Sequence, residues 1–320
     1  MARVLITGAS GFIGSNLARA CLQRGDEVSV VVRPRSSVAR LAGIGSRIGL
    51  YRLDLTDARA LGNCLTKTRP EIVFHAGART RFENRPDLQD LAGSVEENVT
   101  PLVALLSALA TCDCPPRSFV RTGTIAEYGD CATPYTETAR ERPAGSYAAS
   151  LLAGTHYLEM AQPRLPFLAV TARLALTYGP GQSESFLIPR AISQLLTGQK
   201  VSVRSPLDRR DLIHVDDVTR ALMMLGDTPE DAGPVVNVGT GHTPTVAEVM
   251  QTLIKLTGAG AGLVNFGDQT GDPVELIVSA ERIRDRLGWS PEIQLQDGLE
   301  RTVKWARENI IPEFAAEMQA

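Results

Sequence analysis

Much that would mark a specialised function is missing from this chain. The five cysteines, Cys21, Cys64, Cys112, Cys114 and Cys131, are an odd and scattered set. Cys112-Asp113-Cys114 lacks the spacing of a zinc or thioredoxin-type pair, so reduced thiols and no metal site are expected. Lysine and arginine (33) do not outnumber aspartate and glutamate (36), and a net charge of −3 leaves no footprint for nucleic acid or a membrane surface. No apolar run is long enough to cross a bilayer, and the first strand begins at once; both predict a cytoplasmic protein without a signal peptide. There is no internal repeat and no low-complexity linker. What remains, 43% hydrophobic and 22% charged over 320 residues, has the composition of a globular protein with one large domain or two smaller ones.

The stretch that organises the rest is Ile6-Thr7-Gly8-Ala9-Ser10-Gly11-Phe12-Ile13-Gly14. It follows the apolar run Val4-Leu5-Ile6, which reads as a buried strand, and precedes residues 15–22, which have helical apolar spacing. The glycines therefore fall on a strand-to-helix turn. Gly8 is expected to make the tight turn, Gly11 to let the backbone close on a phosphate, and Gly14 to let the helix approach the strand. With Ser10, Phe12 and Ile13 they form a candidate pyrophosphate site, because a helix N-terminus offers free N–H groups and partial positive charge to an anion. An ordinary glycine-rich turn is the competing reading. The strand–turn–helix context and the position near the N-terminus favour a dinucleotide.

A second strand, Glu27-Val28-Ser29-Val30-Val31-Val32, ends in Arg33-Pro34-Arg35-Ser36-Ser37. An acidic residue here would bond a ribose 2′-hydroxyl and repel a 2′-phosphate. None is present, and Arg33, Ser36 and Ser37 suit a phosphate, so NADP(H) is favoured over NAD(H); a solvated basic loop is the alternative. A short strand then delivers Asp54 and Leu55 to the sheet edge, where Asp54 is placed to contact adenine, while Asp57 reads as a helix cap. Glu71-Ile72-Val73-Phe74-His75 forms a fourth strand, and Ala76, Gly77 and Ala78 leave space for a cofactor. His75 reads as a packed strand-end histidine, not a ligand. Residues 94–110 are predicted as one helix containing Asn98, followed by the strand Ser118-Phe119-Val120-Arg121. Strands and helices alternating at this spacing predict a doubly wound parallel sheet.

Landmarks along nearly the whole chain now form a pattern. They include Thr7–Gly14, Asp54-Leu55, His75-Ala76-Gly77-Ala78, Asn98, Thr124…Tyr128-Gly129, Ser146-Tyr147-Ala148-Ala149-Ser150, Tyr178-Gly179-Pro180-Gly181-Gln182, Arg210-Asp211-Leu212-Ile213-His214-Val215-Asp216-Asp217-Val218, Asn237-Val238-Gly239 and Leu287-Gly288-Trp289-Ser290-Pro291. In these residues the chain resembles the extended short-chain dehydrogenase/reductases, the nucleotide-sugar epimerases, dehydratases and reductases. The resemblance implies an α/β fold of Rossmann type with a smaller C-terminal α/β lobe for the substrate. It implies a cofactor domain over residues 1–172, with 212–240 returning to it, and a substrate lobe mainly over 173–320. It also implies a homodimer formed by the helices near 95–110 and 147–161, although their apolar faces would equally suit a core.

The same resemblance assigns roles. Tyr147 becomes the general acid or base and Thr124 the hydroxyl that orients the substrate oxygen. Asn98 and Tyr147 join the cofactor-binding residues, and Arg173, Tyr178 and Arg210 become candidates for the substrate's nucleotide diphosphate. The chain departs from the family at instructive points. The YxxxK lysine, which lowers the tyrosine pKa, is replaced by Leu151, and no lysine lies between Lys67 and Lys200. Ile125-Ala126 stands where the dehydratases carry an Asp-Glu pair and decarboxylases a glutamate; Glu127 comes one residue late and, on a strand, would face the other way. Leu176 replaces a phosphate-contacting asparagine, and no arginine lies by Gly271, where Gln269 and Thr270 stand. The expectation is an NADP(H)-dependent reductase of a 4-keto (6-deoxy) nucleotide sugar. The alternatives are an NAD-dependent C4 epimerase and a non-catalytic dinucleotide-binding protein.

Overall fold

The structure, a computed structural model, describes residues 1–269 and 271–309. The first half alternates strand and helix. It runs β1 (Arg3–Thr7), α1 (Phe12–Arg24), β2 (Glu27–Val32), β3 (Gly49–Arg52), α2 (Ala58–Thr68), β4 (Ile72–His75), α3 (Gln89–Ser94), α4 (Thr100–Thr111), β5 (Ser118–Thr124), α5 (Ser146–Ala161) and β6 (Leu168–Leu174). The second half continues with β7 (Leu176–Tyr178), α6 (Leu187–Leu196), β8 (Val201–Val203), β9 (Arg209–Arg210), β10 (Leu212–His214), α7 (Val215–Asp227), α8 (Pro229–Ala232) and β11 (Val235–Val238). It closes with α9 (Val246–Thr257), β12 (Val264–Phe266), β13 (Glu275–Leu276), α10 (Glu281–Leu287) and α11 (Leu295–Asn309).

Seven parallel strands form the main sheet in the order β11-β6-β5-β4-β1-β2-β3. The order reverses on either side of β1, so the loops after β1 and β4 part at a crevice at the strands' carboxyl ends, where ligands of such sheets bind. The strands are apolar on both faces because helices cover both. Ile6, Val30, Phe74 and Val120 enter one hydrophobic cluster, while Leu5, Val31, Val73 and Phe119 enter another with residues of α2, α4 and α5. Alternate side chains thus go to opposite faces. Each fully buried aliphatic or Phe contributes about 1.5–3 kcal/mol relative to exposure.

A third cluster forms the smaller lobe. It joins Tyr178, Ile188 and Ile192 to Val201, Val203, Val249 and Met250, and to Leu299 and Val303 of α11. β11 rejoins the main sheet beside β6, and Val278, Ile283 and Trp289 pack into the main core as well. Local signals terminate the helices as their residues dictate. Asp57 caps α2 by accepting from the Ala60 N–H (3.0 Å), and Thr245 with Glu248 forms a capping box on α9.

The expected helix over 94–110 is present, with one local change of hydrogen-bond pattern. A π-turn over Val95–Val99 separates α3 from α4. Pro101 has no N–H to bond the Glu97 carbonyl, so the ladder cannot run through unchanged. Thr270 and the tail from Ile310 lie outside the described residues, while Gln269 bonds the Leu207 N–H and Asp208.

Candidate active site

A cavity of about 1750 Å³ opens between the sheet and the smaller lobe. Gly11, Phe12, Ile13, Ala76 and Ala78 line its sheet side. The glycine turn is built from mutual contact. Gly8 has φ +74°, and a Cβ on it would lie 2.5 Å from the Gly77 Cα, so the loops after β1 and β4 touch backbone to backbone. A Cβ on Gly14 would lie 2.5 Å from the Gly8 carbonyl oxygen. No side chain caps α1, which leaves its first N–H groups directed at the crevice. This cradle of bare backbone fits a dinucleotide pyrophosphate, with Gly11, Phe12 and Ile13 placed to hold it.

Thr124 and Tyr147 meet inside the cavity. Thr124 ends β5, and the chain then tightens into a 3-10 turn over Ile125–Glu127 instead of continuing as a strand. The Thr124 Oγ1 accepts from the Ala126 N–H (3.2 Å), which leaves its proton free to donate. Tyr147 sits in the first turn of α5 and is partly exposed to the cavity. Burial pushes its phenol above the ordinary value; the facing Thr124 hydroxyl pulls it down, the Glu127 carboxylate raises it, and the Arg121 guanidinium lowers it.

Beneath this pair lies a buried polar network. Glu127 turns inward: its Oε1 accepts from the Thr124 N–H (3.0 Å), and its Oε2 accepts from Thr155 Oγ1 (2.8 Å) and Arg173 Nε (2.8 Å). Arg173 also donates to Glu141 (2.6 Å) and lies over the Tyr128 ring at 4.5 Å. Arg173 is fully buried and is not among the cavity-lining residues, which corrects its reading as a substrate ligand: β6 aims it into the network. Arg121 reaches from β5 to α5, donating to the Leu151 carbonyl (2.8 Å) and to Thr155 Oγ1 (3.1 Å).

Other expected site residues divide. Tyr178 borders the cavity, but its hydroxyl donates to the Leu295 carbonyl (3.3 Å). Arg210 lines the cavity and is held by Asp208 (2.7 Å). Asn98 is buried away from the lining, where its amide bonds both the N–H and the carbonyl of Arg79 and the Ser150 hydroxyl, tying the loop after β4 to α5. Gly8, Ser10, Gly14, Gly77, Arg33, Ser36, Ser37, Asp54 and Leu55 are not among the lining residues. Arg33 pairs with Glu97 at 2.8 Å. Asp54 is turned onto the Thr56 N–H and hydroxyl, which hold its carboxyl below the usual range. His75 is buried against Thr7 (2.7 Å), as its strand-end position suggested.

Several lining cations escaped the sequence reading. Arg190, Lys200 and Arg204 of the smaller lobe line the cavity and have no carboxylate partner among the described residues. Arg81 lines it too, and its ring-stacked guanidinium bonds the Ser185 carbonyl across the mouth. These cations are scattered singly among apolar residues, and local pattern does not say which face they take. Asp208 is the one carboxylate among the lining residues.

Fold and site together define a Rossmann-type protein in which a bare-backbone turn faces a cavity with cations on its far side. Comparison with known proteins narrows that class. A model of the NAD dependent epimerase/dehydratase family matches residues 4–239, and the chain belongs to this family. A dTDP-glucose 4,6-dehydratase of Streptomyces griseus is 32% identical over 94% of this chain and 93% of its own length. A UDP-glucose 4-epimerase of Mycolicibacterium smegmatis is 29% identical over 95% of this chain and 98% of its own. Among solved structures, the Thermus thermophilus UDP-glucose 4-epimerase in complex with NAD superposes with a TM-score of 0.82 at 26% identity, covering 96% of this chain and 99% of that one.

Proposed function

We propose that this protein is an NADP(H)-dependent oxidoreductase of nucleotide-diphosphate sugars that reduces a 4-keto (6-deoxy) sugar, with Tyr147 as proton donor. One observation carries the reading. The central polar pair is two hydroxyls, Thr124 and Tyr147, and the one lining carboxylate, Asp208, is tied to Arg210 and to the Val274 N–H (3.0 Å). Eliminating a sugar hydroxyl needs a free acid and a free base, and Ile125 and Ala126 supply neither. Reducing a carbonyl needs one proton donor beside the hydride source.

Gly11, Phe12 and Ile13 would hold a reduced dinucleotide, which when bound would supply the hydride. Thr124 donates to the carbonyl oxygen and polarises it, and Tyr147 passes its proton to the same oxygen as charge develops there. Arg190, Lys200 and Arg204, which have no carboxylate partner among the described residues, hold the diphosphate together with Arg210, whose guanidinium Asp208 orients. The preference for NADP(H) rests on Arg33, Ser36 and Ser37 at the end of β2, where no acidic residue stands; a 2′-phosphate competes there with Glu97 for Arg33. Exposed Val103 of α4 and Tyr157 and Met160 of α5 support a homodimer across these helices.

Replacing Tyr147 with Phe should lower kcat for reduction of a 4-keto-6-deoxy nucleotide sugar by about a hundredfold or more, with NADPH binding kept within about twofold. Steady-state NADPH oxidation and an equilibrium titration with NADPH and NADH measure the two. Full activity in the variant would overturn the role of Tyr147. The second reading, an NAD-dependent C4 epimerase, is favoured by the likeness to UDP-glucose 4-epimerases. Interconversion of C4 epimers by pure protein without added cofactor would establish it and end the reductase reading.

A further inference from the structure

Position 151, one helical turn beyond Tyr147, carries no charge, yet a cation stands beside it. We infer that Arg121 is the positioning residue for Tyr147, supplying from β5 the positive charge that this face of α5 lacks. The inference rests on the role of Tyr147 as a proton donor in the proposed reaction. Tyr147, Leu151 and Thr155 are spaced four apart and share one helix face. Arg121 lies on β5, in register with His75 on β4 and Thr171 on β6, and is fully buried. Its guanidinium grips that same face of α5, with Nη2 on the Leu151 carbonyl at 2.8 Å and Nη1 on Thr155 at 3.1 Å.

Room for the guanidinium is built in. A Cβ on Gly154 would lie 2.6 Å from Arg121 Nη2 and 2.9 Å from its Cζ. Nor is the charge consumed by an ion pair. Among the described residues Arg121 has no carboxylate within salt-bridge distance, and Glu127 is already bound to Arg173. The groups within electrostatic reach are Glu127 on the turn after β5, Arg173 on β6, His75 on β4 and Tyr147 on α5. Burying a guanidinium without a carboxylate costs several kcal/mol, so simple packing here would be met better by an apolar side chain. A neighbouring cation favours phenolate, and a phenol that must give up and regain a proton works best when its pKa is brought down toward ambient pH.

The test reads Tyr147 directly and needs neither substrate nor cofactor, so it stands apart from the fate of the reductase reading, which the Tyr147→Phe kinetics decide. A ring-fluorinated tyrosine is placed at position 147 of the full chain, and its ionisation is followed by fluorine NMR. In Arg121→Met the midpoint should rise by about one pH unit or more, tenfold less phenolate at a given pH, and in Arg121→Lys it should return to within about threefold of the parent. An unmoved midpoint in folded Arg121→Met overturns the inference. So does a rise that lysine fails to reverse, which would mean packing and not charge. If Arg121→Met does not fold, Leu151→Lys decides alone. An ammonium buried beside the guanidinium loses its own proton and should shift the midpoint by less than about threefold. A fall of about one unit or more would show that the phenol had been without a cation.

Discussion

His75 shows how far a single side chain can be moved from its solution chemistry. Burial, and after it the charge of Arg121, pull its pKa down to about 3. In the unfolded chain an imidazole takes up a proton near pH 6.5. Below that pH the unfolded state binds a proton that the folded state refuses until about pH 3, so the contribution is fully present above 6.5 and is lost as pH falls. Between pH 6.5 and 5 this amounts to about 2 kcal/mol. Urea unfolding at pH 7 and pH 5 should show a loss larger by that amount in the native chain than in His75→Asn; equal losses would clear His75 of responsibility. The sequence did reveal His75 as a packed residue, because its strand is uniformly apolar and no second ligand is near. It did not reveal Arg121 or the inward turn of Arg173. An arginine on a strand reads as exposed or ligand-bound until the partner on another element is known, and those partners lie 30 to 46 residues away.

At the level of elements, local rules were legible and contacts between elements were not. The caps at Asp57 and Thr245 are set by neighbours within a few residues. The π-turn before α4 was hidden because apolar spacing runs through it undisturbed, and only the consequence of Pro101 for the ladder reveals it. The meeting of α5 with β5 was hidden too. It depends on Gly154, which in a helix reads merely as a weak residue. Gly154→Ala improves helix propensity and should still destabilise, by about 1–3 kcal/mol, because the new methyl meets both Arg121 and the Leu102 side chain at 2.9 Å. Urea titration of the two proteins measures it; a stabilised variant would show that the guanidinium moves aside freely.

Over the whole molecule, the sheet carries the glycine turn and Thr124, α5 brings Tyr147, and the smaller lobe brings the cations that have no carboxylate partner among the described residues. The strand alternation that predicts the sheet is a repeated local signal, which is why the architecture could be read in advance. The cavity could not, because its lining comes from segments scattered between Gly11 and Leu276. The outer faces of α4 and α5 present Val103, Tyr157 and Met160 to solvent. Light scattering should give the mass of two chains for the native protein and of one chain for Tyr157→Glu with Met160→Glu. A single-chain mass for the native protein would end the homodimer reading.

The notch at Gly154 also constrains how such a chain can be reached by successive substitution. A methyl group at 154 would come within 2.6 Å of the guanidinium at 121, so one of the two must shift. A lineage that begins with a side chain at 154 must lose it before arginine enters at 121, or in the same step; the opposite order passes through a chain that packs badly. Once both are in place, return is disfavoured in the same way, because restoring the side chain first crowds the guanidinium. Residues 121 and 154 are therefore coupled, although they come from elements far apart in the gene and adjacent in the fold.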